Sequence, residues 1–181
     1  MHLGCGARRA TTADDVACAM TAARRHKVSL TFRSGGTSLS GQGLTDGIMV
    51  DTRRAFRGIE VLDEGRRVRV QPGATIRAVN TALARYQRKL GPDPASSVAC
   101  TVGGVLADNS SGMSCGTIAN SYQTLESMVI VLASGTVLDT ADPDADDKLC
   151  STEPELVETL LRLRETCRRP EHAERIRHLF S

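Results

Sequence analysis

Arg33-Ser34-Gly35-Gly36-Thr37-Ser38-Leu39-Ser40-Gly41 lies directly behind a short run of β-formers, Val28 to Phe32, and ahead of a second apolar run, Ile48 to Val50. The spacing predicts strand, glycine-dense loop from Ser34 to Gly47, strand. Adjacent glycines can take φ > 0 and let backbone N–H groups converge on one point, and small hydroxyl residues add donors, so the loop suits a diphosphate. It carries neither the G-x-x-x-x-G-K-[ST] string nor the spacing of G-x-G-x-x-G, which disfavours the two common nucleotide folds built on those loops. Taken alone, the stretch is equally compatible with an ordinary surface turn.

Working outward, Thr12 followed by Asp15 forms a capping-box start, and Val16, Ala19, Met20 and Ala23 recur at helical spacing up to Arg25 and His26. Beyond the loop, Ile59 and Val61, then Val68 and Val70, alternate about Asp63-Glu64-Gly65, a hairpin with one buried face. Pro72-Gly73 breaks the chain, Thr75 can cap, and Ile76, Val79, Leu83, Tyr86 and Leu90 mark a second amphipathic helix. A long segment from Gly91 to Tyr122 follows, rich in Gly, Ser, Asn and Pro, with room at Val102, Val105 and Leu106 for a helical turn or two. Ordinary connections run to about 4–6 residues, so a loop of this length is functional or disordered. It contains Gly91-Pro92-Asp93-Pro94-Ala95-Ser96-Ser97, Cys100-Thr101-Val102-Gly103-Gly104 and Asn109-Ser110-Ser111-Gly112. Its prolines stiffen the entry, its paired glycines permit close approach, and its Asn and Ser side chains offer donors and acceptors to a long polar ligand. Alone, it too could be a plain irregular loop. Met128 to Leu132 and Thr136 to Leu138, around Ser134-Gly135, predict a second hairpin; Asp142 to Asp147 reads as an acidic linker, and Glu153 to Phe180 as two surface helices parted near Pro170.

At 181 residues and 40% apolar content the chain can bury one compact core. Its 23 Lys and Arg against 21 Asp and Glu, with 3% aromatics, provide neither a phosphate-tracking face nor a base-stacking platform, so nucleic acid is not an expected partner. The longest apolar run, Met128 to Ala133, is far short of the ~20 residues that cross a bilayer. No integral membrane segment and a cytoplasmic location are expected. Cys5, Cys18, Cys100, Cys115, Cys150 and Cys167 form no C-x-x-C pair and read as reduced structural thiols. His2, His26, His172 and His178 read as surface residues, and no metal site is expected.

Taken in order, R-S-G-G-T-S-L-S-G, G-P-D-P-A-S-S, C-T-V-G-G-V, N-S-S-G-M and T-L-E-S-M-V-I-V-L-A-S-G resemble the FAD-binding (PCMH-type) domain of the vanillyl-alcohol-oxidase flavoproteins, nearest to D-lactate dehydrogenase and other FAD-linked D-2-hydroxy-acid oxidases. The likeness covers almost the whole chain. It implies an α+β fold of two lobes, a small mixed N-terminal sheet and a larger mainly antiparallel sheet with flanking helices, the cofactor lying between. The domain would run over 1–141, with lobes of about 1–52 and 53–141, and 142–181 would form a linker and helices leading toward a substrate domain. The resemblance also implies roles. Ser34, Gly35, Gly36, Thr37, Ser38 and Gly41 would wrap the FAD diphosphate through their amides, with Arg33 at the loop's edge. Pro92, Asp93, Ser96 and Ser97 would flank the isoalloxazine or ribityl chain. Thr101, Val102, Gly103 and Gly104, with Asn109, Ser111 and Gly112, would close on the diphosphate and flavin side, and Ile130 would offer backbone contacts to the adenine end.

Members that bind FAD covalently through the first loop carry His where this chain has Thr37, which implies non-covalent FAD; Cys100 stands out of register for a cysteinyl link. No catalytic base is assigned. The expected function is an FAD-dependent 2-hydroxy-acid dehydrogenase or oxidase, with hydride passing from the substrate carbon to flavin N5 and electrons onward to an acceptor. Three readings stay open at this stage: part of such an enzyme, weakly active or inactive alone; a non-catalytic flavin-binding fragment or subunit that needs a partner chain for its cap; and a flavin-independent nucleotide binder.

Overall fold

The computed structural model describes residues 10–180; His2 and Cys5 lie outside the described residues. By contact the chain divides into two units, Met1–Glu126 with Val131–Val137, and Ser127–Ile130 with Leu138–Ser181.

The first unit begins with helix α1 (Ala13–His26). The Thr12 hydroxyl accepts from the Asp15 amide while the Asp15 carboxylate accepts from the Thr12 amide, the reciprocal cap that the sequence predicts. At the other end Lys27 turns left-handed, at φ 53°, and the Val28 amide still donates to Ala23 O. The strand predicted from Val28 therefore starts two residues later, as β1 (Leu30–Arg33). It pairs in parallel with β2 (Ile48–Asp51), Arg33 opposite Asp51, so the glycine loop leaves the carboxyl end of β1 and returns along its side. Ala10, Val50 and Phe56 form the core of this part, and Val16 and Ala19 of α1 pack on it with Leu30 and Ile48.

β3 (Ile59–Leu62) and β4 (Arg67–Val70) make the expected antiparallel hairpin, Val61 opposite Val68, around a tight turn at Asp63–Gly65. One face carries Ile59, Val61, Val68 and Val70, and helix α2 (Ile76–Leu83) buries Val79 and Leu83 against it. Val79 has no exposed surface. α2 stops well before Leu90: Leu83 leads into one turn of tighter helix at Ala84–Tyr86, and Gln87 takes φ 56°. The chain then reverses, the Leu90 amide donates to Asn80 Oδ1 (2.8 Å), and Leu90 reaches the core from the returning strand of chain rather than from the helix. Two short helices, α3 (Val102–Ala107) and α4 (Ser121–Thr124), interrupt the long loop. Ile76, Cys100 and Val105 make a further cluster that shares Leu90 and Val102 with the hairpin core.

β5 (Val129–Val131) and β6 (Val137–Asp139) form the second hairpin, closed by a turn with Gly135 at φ 95°. In the second unit, α5 (Ala145–Thr152) starts inside the stretch expected to be an acidic linker, and α6 (Pro154–Arg168) and α7 (Pro170–Phe180) follow as predicted. Acidity misleads here because Asp146 and Asp147 occupy the first turn of α5, where carboxylates complement the exposed amides of a helix start.

The α+β class holds, with one correction. Among the described residues the strands pair only two by two, in three separate ribbons, so neither a mixed N-terminal sheet nor a larger continuous antiparallel sheet is present. The strands are three or four residues long, and such lengths offer few ladder bonds to recruit a third partner. On β4, Arg67 instead pairs with Asp63 and with Glu126 across a 3.6 Å gap.

Candidate functional site

Both glycine-rich stretches belong to the first unit, and they meet. Thr101 Oγ1 donates to Ser34 Oγ at 2.5 Å, across 67 residues of chain. Next to this bond, a Cβ on Gly35 would stand 2.5 Å from Ala99 O and 3.0 Å from Cys100 Cα, so only glycine lets the two backbones approach this closely. Thr101 is 1% exposed and Cys100 is buried, the thiol acting as a packing group between Ile76 and Val105.

Past Gly35 the first loop opens to solvent. Gly36 has φ 64° and Gly41 φ 75°, the conformations for which the sequence requires glycine. The Arg33 side chain folds back along its own loop, its stem beside Gly43 and its guanidinium where a Gly36 side chain would be. Ser38 Oγ donates to Gln42 Oε1 and accepts from the Ser40 amide. The amides of Gly35, Gly36, Thr37, Ser38 and Leu39 donate to no acceptor among the described residues. A run of unengaged donors on a backbone turned by two left-handed glycines is the physical requirement for cradling an anion.

The second stretch is more heavily committed to the protein itself. The α2 amides of Ile76 and Arg77 donate to Cys100 O and Ser97 O, so Ser96 to Cys100 caps that helix. The Ser96 carbonyl accepts from both Ala99 and Cys100. At the start of α3, the Val102 amide donates to Ala74 O and the Gly103 amide to Pro72 O, both at 2.9 Å. Two amides expected to face the cofactor are thus occupied. Gly103 is glycine because Pro72 Cβ would lie 2.6 Å from its side chain. Gly104 is different: it is exposed, and a Cβ there would touch nothing closer than Thr101 Oγ1 at 3.7 Å.

Pro92 is buried, and Asp93 pairs with Lys89 at 3.5 Å. The Asp93 amide donates to Ser111 O at 2.6 Å, and Gly112, at φ 86°, lies so close that a Cβ would overlap Asp93 O at 1.9 Å. Asn109 is left-handed at φ 53°; its Oδ1 accepts from the Tyr122 amide, and the Ser111 hydroxyl donates to Asn109 O. Buried Ser121 fixes the same strip by donating to Ser110 O. Asn109, Ser111 and Gly112 are therefore brought together with Asp93, as a stapled wall. Ile130 lies on β5, in the second unit.

Sequence reasoning passed over Arg53. A cleft of about 210 Å³ at the carboxyl end of the parallel pair is lined by Arg33, Ser34, Gly35, Met49, Asp51 and Arg53. Its signal is the position just beyond a parallel strand, where open sheets place ligands, but parallel pairing is not readable from two four-residue apolar runs. Among the described residues no cluster of His, Cys, Asp and Glu could hold a metal ion, and no helix is long and apolar enough to cross a membrane.

Comparison with known proteins gives this geometry a family. Residues 6–141 match the FAD binding domain family. The chain is 34% identical over 104 residues to glycolate oxidase subunit GlcD of Escherichia coli K12, spanning 56% of this chain and 21% of that protein. It is 42% identical over 104 residues to D-2-hydroxyglutarate dehydrogenase of Pseudomonas putida, spanning 55% of this chain and 10% of that one. The chain thus corresponds to about a fifth and a tenth of the lengths of these two relatives. Among solved structures, 6-hydroxy-D-nicotine oxidase from Arthrobacter nicotinovorans superimposes with a TM-score of 0.64 at 24% identity, over 82% of this chain and 30% of that chain. With the match running from before α1 to just past β6, the chain belongs to the FAD binding domain family.

Proposed function

We propose that the first loop holds the diphosphate of FAD non-covalently, and that the whole protein is an oxidoreductase acting on a 2-hydroxy acid. The observation that carries the reading is the run of unengaged amides from Gly35 to Leu39, anchored at its start by the Ser34–Thr101 bond. The residues present fit the group. A side chain at Gly36 would collide with the Arg33 guanidinium and oppose a positive φ, so glycine there lets the turn form with that cation against it.

Ser34 to Ser38 and Gly41 would supply amides and hydroxyls to the diphosphate. The stapled strip of Asp93, Asn109, Ser111 and Gly112 would form a fixed wall for the ribityl and ring portion, with Pro92, Ser96 and Ser97 holding its approach. Gly104, exposed on α3, would admit the ligand. Thr37 offers no nucleophilic ring nitrogen, and Cys100 is buried in a core cluster, which supports a cofactor bound without a covalent link. FAD, when bound, supplies the redox chemistry by accepting hydride at N5 from the substrate carbon. The chain's own residues bind, orient and shield it. A D-2-hydroxy acid such as D-lactate is the substrate class we favour, since the relatives' names specify a glycolate oxidase subunit and a 2-hydroxyglutarate dehydrogenase. A substrate domain, in further sequence or a partner chain, would complete the site, and the proposed cytoplasmic location accords with the five free cysteines among the described residues.

The test is the absorption spectrum of the purified chain after FAD is added and the excess removed by gel filtration. A retained flavin band with shifted fine structure is the expected result, with little turnover of D-lactate by this chain and a dye acceptor. Elution of all the flavin in the small-molecule fraction would overturn the proposal.

A further inference from the structure

The cleft at the carboxyl end of β1 and β2 is charged in a way that the glycine loop alone does not explain. Arg33 and Arg53 line it, and neither guanidinium has a carboxylate partner among the described residues. The one carboxylate in the cleft, Asp51, is otherwise engaged. Its Oδ1 accepts from the Arg53 amide at 2.9 Å and its Oδ2 faces Arg54 Nε at 3.9 Å. The cleft lining thus holds two arginines against one carboxylate, and that carboxylate also faces Arg54. Such an excess on one small cleft favours a ligand of net negative charge.

Ser34 and Gly35 line this cleft and also begin the run of unengaged amides, so cleft and loop are one continuous surface. Arg33 is held by its own backbone fold: with its stem beside Gly43 and its guanidinium against Gly36, the charge sits at the turn where those amides converge. Arg53 follows β2 by two residues, and its position is fixed by the turn that its amide makes with Asp51. The two cations come from separate strand ends, paired in register at Arg33 and Asp51.

We propose that Arg33 and Arg53 form a two-cation clamp for the diphosphate of the cofactor, making Arg53 a binding residue of the same site and Asp51 its electrostatic brake. This rests on the reading of the first loop as a diphosphate cradle. Backbone amides give the site its shape, and the clamp gives it selectivity for a doubly charged linkage over an uncharged flavin.

The experiment is a titration of the full chain with FAD, followed by flavin fluorescence, at ~50 and ~300 mM KCl. Riboflavin, which has no phosphate, and ADP, which shares the adenosine and diphosphate of FAD but has no flavin, are the two further probes. Arg33→Met and Arg53→Met should each weaken FAD and ADP about tenfold, the scale of one charge-assisted hydrogen bond, and leave riboflavin unchanged. Both should flatten the salt dependence of FAD binding, whereas Arg33→Lys and Arg53→Lys should recover most of the affinity. Asp51→Asn, which keeps the acceptor oxygen, should tighten FAD about two- to threefold. Arg69→Met on β4, opposite Glu60, is the control and should bind as the unaltered chain does. Should Arg33→Met fail to fold because its side chain braces Gly36, Arg53→Met carries the test by itself. FAD affinity and salt dependence unchanged in Arg53→Met would overturn the clamp and leave the cofactor reading standing. Failure of the unaltered chain to bind FAD would strike the cradle first, and the clamp with it.

Discussion

Replacing Gly35 with alanine would press on the one place where the two glycine-rich stretches touch. The new Cβ would stand 2.5 Å from Ala99 O, 3.0 Å from Cys100 Cα and 3.2 Å from Ala99 C, all backbone atoms of the facing segment. None can swing aside as a side chain would. An ordinary contact begins near 3.4 Å, so the segments must part by about 0.9 Å. Moved that far, Thr101 Oγ1 and Ser34 Oγ would go from 2.5 Å to roughly 3.4 Å, beyond a useful O–H···O bond. Overpacking of this kind costs about 1–3 kcal/mol, and a lost hydrogen bond on a buried hydroxyl adds about 1 kcal/mol. A total of about 2–4 kcal/mol should lower the melting temperature by about 6–12 °C for a chain of this length, and FAD retention should fall with it. Gly104→Ala is the matched comparison. Its Cβ has 3.7 Å of clearance and lies inside α3, where alanine improves the helix by about 0.5–1 kcal/mol. That variant should melt no lower than the parent and yet bind FAD more weakly, because the added methyl would occupy surface that the proposed site gives to the ligand. Circular dichroism melts and gel filtration with FAD read both effects. A Gly35→Ala chain that melts within a degree or so of the parent and holds FAD equally well would refute the reasoning.

Gly112→Ala should be harsher still, at about 3 kcal/mol or more, since both its φ of 86° and the 1.9 Å approach to Asp93 O oppose a side chain; a chemical-denaturation midpoint checks this. Thr12→Ala removes the N-cap of α1 and should cost about 1 kcal/mol in the same assay. The Thr11 amide, then the Thr11 hydroxyl and the Thr12 amide, hold the Asp15 carboxyl below its ordinary value of 3.8. Its contribution is therefore present above that value and lost as pH falls through the lowered one, so Asp15→Asn should reduce the slope of stability against pH in the acid range, measured by melts below about pH 4. Finally, acid precipitation of the FAD-loaded chain should leave all the flavin in the supernatant, as a non-covalent cofactor requires.

What could be read in the residues beforehand was local chemistry. Thr12 with Asp15, the Asp63-Glu64-Gly65 turn and the Val61/Val68 alternation each involve neighbours a few positions apart, and each forms as expected. Leu90 shows the limit: it completes an apolar stripe on paper, but the left-handed Gln87 brings it to the core by a different route. The glycines show it again. Gly36 and Gly41 owe their identity to positive φ, as their pairing with small polar residues suggests, whereas Gly103 and Gly35 owe theirs to Pro72 and Ala99, partners far away in the chain. Sequence shows that a side chain is missing; only the fold shows what lies in its place. Arg53 and Asp51 were illegible for the same reason, since nothing in two short apolar runs says that they lie parallel.

The bonds from Val102 to Ala74 and from Gly103 to Pro72 tie the base of α3 to the break between β4 and α2. In the proposed site one side would therefore be assembled before any guest arrives, and the ordering on association would fall on the Gly35–Leu39 stretch, whose amides have no acceptor among the described residues. A ligand that fits the fixed side but cannot recruit that stretch would find a wall without a latch, so in this proposal tight holding would depend on a handful of backbone torsions rather than on the larger surface opposite them.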